Sequence, residues 1–143
     1  MTRHPLALLP LLFLLACGPS GPDVAVSDAW ARPAEAGRVT AVYLRLDNRG
    51  GAPDRLLGAS TEAARAVELH ESVADAQGVV RMRPAAEGLP IPAGATATLE
   101  PGGYHLMMVG LARDLRPGDR LPLTLRLERS GERAVQAEVR PPS

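Results

Sequence analysis

The chain has 143 residues, with 16 arginines and no lysine set against 16 acidic residues, for a formal net charge of zero with histidine neutral. That balance supplies no basic surface to neutralise a phosphate backbone, so nucleic acid is excluded as a partner. One cysteine in the chain excludes a disulfide framework and a cysteine-rich zinc site, and the length suits one domain with one core.

Taken from the start, residues 1–16 read as a secretion signal of the lipoprotein type. Arg3 opens it, an apolar run from Leu6 to Leu15 follows, and Ala16 stands directly before Cys17. The run is about half the ~20 residues a spanning helix needs, so cleavage is expected rather than spanning. Leu14-Leu15-Ala16-Cys17 resembles the bacterial lipoprotein box, which makes Cys17 the expected lipidated residue and the chain a lipid-anchored protein of the periplasm or cell envelope. The Gly- and Pro-rich residues 17–23 then suit a flexible tether. With Cys17 consumed by lipid, the domain that follows has no thiol. This excludes a cysteine nucleophile, a thioredoxin-like dithiol and a blue-copper centre, which requires a thiolate.

Residues 24–140 read as a single all-β domain, a Greek-key sandwich or barrel of eight or nine strands. Fourteen prolines and fourteen glycines leave no stretch long enough to need a helix. Strands are predicted over 24–32, 38–48, 55–60 and 66–70, with one helical turn over 61–65. A hairpin over 67–82 turns at Asp75-Ala76-Gln77-Gly78, and further strands are predicted over 95–100, 104–109, 120–129 and 133–140. The clearest two-faced strand is the last but one, where Leu121, Leu123, Leu125 and Leu127 alternate with Pro122, Thr124, Arg126 and Glu128.

Beyond the leader, every histidine and methionine falls between His70 and Met108: His70, Met82, His105, Met107 and Met108. Imidazole and thioether are the donors that select Cu(I), and a thioether survives in an oxidising compartment where a thiol would not. A hairpin centred on Ala76 would set Met82 directly opposite His70, with Cβ atoms about 4.5–5.5 Å apart. His105 and Met107, two apart on a strand, share a face, while Met108 points the other way into the core. The residues thus offer two imidazoles and two thioethers. The competing reading is that the methionines fill a β core, in a non-metal β-sandwich envelope lipoprotein acting as adaptor or scaffold. A zinc His₂Glu enzyme site is disfavoured because Glu71 should point away from His70, and no Gly-x-Ser-x-Gly elbow marks a hydrolase.

The order His70, eleven residues, Met82, then His105-x-Met107 resembles the signature of the periplasmic copper chaperones called PCu(A)C. Ala29-Trp30-Ala31-Arg32-Pro33, Val67-Glu68-Leu69-His70-Glu71, Met82-Arg83-Pro84 and Pro101-Gly102-Gly103-Tyr104-His105-Leu106-Met107 carry the likeness over essentially the whole exported chain. The resemblance implies a cupredoxin-like β-sandwich and a non-enzymatic protein binding one Cu(I) per chain through His70, Met82, His105 and Met107. It further implies delivery of copper to the binuclear site of cytochrome c oxidase, with the copper-bearing oxidase subunit or a thioredoxin-like copper assembly factor as partner. This chain has one more residue between Met82 and His105 than the common pattern, near Ala85-Ala86, expected to fall in a loop. Ser72 stands where many members have a further methionine, and residues 132–143 lack the His- and Met-rich tail of some members.

Overall fold

The computed structural model describes residues 20–141; the leader and Cys17 lie outside them. All regular structure among the described residues is strand: β1 (Val24–Ala31), β2 (Val39–Asn48), β3 (Asp54–Ser60), β4 (Ala64–Ala74), β5 (Val80–Pro84), β6 (Leu89–Ile91), β7 (Thr96–Leu99), β8 (Tyr104–Leu111), β9 (Arg120–Leu127) and β10 (Gly131–Val139). The strands hydrogen-bond in the order β5-β4-β8-β7-β2-β1-β10-β9-β3-β6, with β8 also pairing β2. This continuous sheet folds over into the two layers of a cupredoxin-like sandwich.

Strand β1 makes the fold-over. It runs antiparallel to β2, its register breaks between Ser27 and Trp30, and its last residues Trp30 and Ala31 pair parallel with Glu138 and Val139 of β10. The break is a bulge carrying Asp28 at φ +48°, a left-handed conformation that aspartate tolerates better than most residues. Arg140 holds it with a 3.0 Å hydrogen bond to the Asp28 carboxylate.

Period-two alternation fills the space between layers. Leu121, Leu123, Leu125 and Leu127 of β9 are buried, as their spacing predicts, against Val42, Leu44 and Leu46 of β2 and Leu106 and Met108 of β8 in one core. Two expectations change. The predicted helical turn at 61–65 is instead a tight turn followed by strand: the Thr61 hydroxyl donates to the Pro122 carbonyl and accepts from the Ala63 N–H, and from Ala64 the chain pairs with β8. Strand β6 is additional. Its three residues pair with β3, and Pro90, which has no N–H to give, is accommodated on the edge of the sheet.

At the far end of β2, Asn48 uses its full hydrogen-bonding capacity while buried. Its Nδ2 donates to the carbonyls of Ala52 and Ile91, and its Oδ1 accepts from the N–H groups of Gly50 and Asp23. Residues 21–23 are drawn onto this turn, with Gly51 donating to Gly21 and Arg49 to Asp23. The approach is so close that a Cβ at Gly50 would lie 2.2 Å from the Gly21 oxygen. The last part of the expected tether is therefore seated on the domain.

Candidate metal centre

The site lies on the outward face of the layer formed by β2, β8, β4 and β5. In β8, Leu106 and Met108 enter the core, so His105 and Met107 take the opposite face. In β4, Leu69 enters the core, and Glu68, His70 and Ser72 share that opposite face. The antiparallel register then sets His70 opposite His105 and Glu68 opposite Met107. The two imidazoles stand edge to face with centroids 5.9 Å apart.

Met82 arrives by a different register from the predicted one. In the β4–β5 hairpin Met82 is opposite Ser72, and His70 is opposite Pro84. The loop consists of Ala76, Gln77 and Gly78 and closes between Asp75 and Val79: Gly78 N–H donates to the Asp75 carbonyl, Asp75 N–H to the Val79 carbonyl, and the Asp75 carboxylate accepts from Gln77 and Val79. Gly78, at φ +79°, takes the left-handed position that ends a three-residue hairpin loop. The pairing therefore moves by two residues. An even shift preserves the face, so Met82 still joins His105 and Met107 in lining one cleft of about 440 Å³, together with Arg32, Val39 and Ser72. His70 does not itself line the cleft; it stands against His105 beside it. Ala85 to Gly88 form a turn between β5 and β6, so the additional residue falls outside the strands that carry these side chains.

Burial separates the methionines. Met108 is fully buried, as its parity predicts, whereas Met82 is 60% exposed and packs no core. His105 is buried and His70 half-buried, each with one ring nitrogen occupied and one free. His105 Nδ1 lies 3.1 Å from the Gly103 carbonyl, and His70 Nε2 lies 2.9 Å from a Glu68 carboxylate oxygen. Both partners can only accept, so these nitrogens carry the protons of the neutral rings and the other two hold lone pairs. Those two, His105 Nε2 and His70 Nδ1, are buried with no hydrogen-bond partner. A buried acceptor left unsatisfied is costly unless something else fills it.

The strands carrying these residues are tied together on the reverse face. Glu71 of β4 binds Arg83 of β5 and Tyr104 of β8; Arg83 first, then Tyr104, hold its carboxyl below the ordinary glutamate range. Burial, with Glu71 beside it, pushes the Tyr104 phenol up. Glu71 thus faces away from His70, as its parity predicts. Among the described residues no three His, Cys, Asp or Glu side chains converge to hold a metal ion. Sequence reasoning gives Glu68 no role of its own, although period-two spacing places it on the face of His70. Arg32, whose guanidinium lies 5.6 Å over the Tyr43 ring, is likewise seen at the cleft only once β1 and β2 are paired.

A family model described as "LpqE-like: Putative lipoprotein LpqE-like" matches residues 24–139. The chain belongs to the LpqE-like family. This LpqE-like chain is 36% identical over 123 residues to "Putative lipoprotein Lxx21020" of Leifsonia xyli subsp. xyli (strain CTCB07), a match covering 86% of this chain and 73% of that one. It is similar to the copper-bound PCuAC domain from PmoF2, with a TM-score of 0.67 and 26% identity over 83% of this chain and 93% of that one. It is also similar to the solution structure of Cu(I)-DR1885 from Deinococcus radiodurans, with a TM-score of 0.59 and 32% identity over 80% and 78% of the two chains. The LpqE-like chain has the cupredoxin-like fold of PCuAC domains and is related to them at the family level. That fold goes with a non-enzymatic role, and the lipoprotein family places the chain outside the cytoplasm, lipid-anchored in the envelope.

Proposed function

We propose that this LpqE-like protein is an extracytoplasmic Cu(I) chaperone. Cu(I) is its cargo, one ion per chain, held by His70, Met82, His105 and Met107, and Cys17 is the site of lipid attachment. The observation that carries the reading is the pair of buried, unpartnered imidazole nitrogens, His70 Nδ1 and His105 Nε2, on adjacent strands of a face that also presents two thioethers. Two nitrogen and two sulfur donors suit Cu(I) and disfavour hard cations. The relatives named as copper-bound support the same reading.

Chaperoning requires release as well as capture. Met82 is exposed on an edge strand, so a partner's thiolates can approach from its side and displace the thioethers, which are the weaker donors. The acceptor is the binuclear copper site of cytochrome c oxidase, reached directly or through a thioredoxin-like assembly factor. The test is the metal content of the leaderless protein after anaerobic Cu(I) loading and gel filtration. Wild type should retain about one copper per chain, and the variant with both His70→Ala and His105→Ala should retain little. Equal retention by the two would overturn the reading, and no retention by wild type would favour the non-metal adaptor.

A further inference from the structure

We propose that Glu68 is a positioning residue for this site, selecting which nitrogen His70 offers to the metal; the proposal rests on the Cu(I) reading above. Glu68 precedes His70 by two residues on β4, so both side chains leave the same face, and one carboxylate oxygen reaches His70 Nε2 at 2.9 Å. An ionised carboxylate accepts and does not donate, so the neutral ring keeps its proton on Nε2 and its lone pair on Nδ1, the nitrogen that is buried and unpartnered. The backbone does the equivalent for His105. The Gly103 carbonyl fixes the proton on Nδ1 and leaves Nε2 free. The two histidines therefore present different nitrogens, and the difference follows from what holds the other side of each ring.

The two holders differ in what can alter them. Gly103 acts through its main chain, which mutation at that position leaves in place, whereas Glu68 acts through a side chain that is 54% exposed and carries no core packing. It is the cross-strand neighbour of one candidate donor, Met107, and touches the ring of another, His70. Without it, His70 could carry its proton on either nitrogen and turn about its side-chain bonds, and copper would have to select the competent arrangement each time. Loss of a carboxylate that orients a ligating histidine ordinarily weakens metal binding by roughly 10- to 100-fold.

The test uses the apo and Cu(I)-loaded forms of the wild type, Glu68→Ala and Glu68→Gln. In the apo protein, ¹⁵N shifts of the His70 ring should report a single Nε2–H tautomer for wild type and a mixture for Glu68→Ala. Cu(I) affinity, read by competition with bicinchoninate, should fall roughly 10- to 100-fold in Glu68→Ala. Glu68→Gln, whose amide oxygen can still accept from Nε2–H, should recover much of both. A Glu68→Ala protein that keeps the single tautomer, or binds Cu(I) as tightly as wild type, overturns the role. Failure of wild type itself to bind Cu(I) would remove the copper reading and this role with it, and the wild-type control tells that outcome from the others.

Discussion

Met107 and Met108 are neighbours in sequence with opposite fates, because successive residues of β8 leave on opposite faces. Met108 is fully buried in the core; Met107 lines the cleft. Replacing Met107 with leucine keeps most of the apolar bulk and removes the sulfur. Cu(I) affinity should fall by at least about tenfold, a loss of roughly 1.4 kcal/mol, while the melting temperature of the apo protein stays nearly unchanged. Met108→Ala should do the reverse, costing about 2–5 kcal/mol of apo stability. Thermal melts of the two variants beside their Cu(I) competition curves check both, and a large loss of apo stability in Met107→Leu would return that residue to a packing role. The candidate donors were legible in the sequence because imidazoles and thioethers are rare here and confined to one region. Glu68 was not, because one carboxylate among sixteen acids carries no compositional signal, and its meaning comes from a single 2.9 Å contact.

The β4–β5 hairpin shows how a donor's position depends on its turn. Nine of the ten strands were readable from alternation and turn residues, but the hairpin register was not, because Asp75-Ala76-Gln77-Gly78 admits more than one loop centre. Gly78 decides it. Only a loop ending on that residue uses its left-handed freedom, and the pairing of Ser72 with Met82 follows. Gly78→Ala should strain the loop by about 1–2 kcal/mol. Because β5 is an exposed edge strand, the damage should be local, with faster amide exchange at Gly78 and Val79, weaker Cu(I) binding through Met82, and little change in the global melt. A different joint holds β3 to the β9–β10 turn. Burial raises the pKa of Asp54, but hydrogen bonds from Ser130, Arg129 and Arg55 outweigh it and leave the carboxyl below the ordinary aspartate range. A depressed folded-state pKa gives stability that is present above the unfolded value, near about pH 4, and lost as pH falls through the folded value. Asp54→Asn should therefore cost about 1–3 kcal/mol at pH 7, and the gap from wild type should narrow below about pH 4. Urea unfolding at pH 7 and pH 3 measures both ends, and an equal gap at the two values would mean the charge is not what holds the joint.

The domain has two ends, and β2 runs between them. Ala41 pairs with Met107 at the cleft, and Asn48 seats residues 21–23 at the other end. Seven residues of strand separate these positions, roughly 23 Å at about 3.3 Å per residue. With lipid on Cys17 as proposed, the four residues to Gly21 can span at most about 14 Å, which keeps the Asn48 end near the bilayer and turns the cleft toward the envelope space. That orientation suits the copper transfer proposed above. The lipidated protein in liposomes doped with a headgroup nitroxide should lose amide signals at Gly50 and Gly51 first, while Ala41 and Met107 persist. Equal loss at both ends would mean the domain lies flat on the lipid, and the cleft would then have to exchange copper at the headgroup layer.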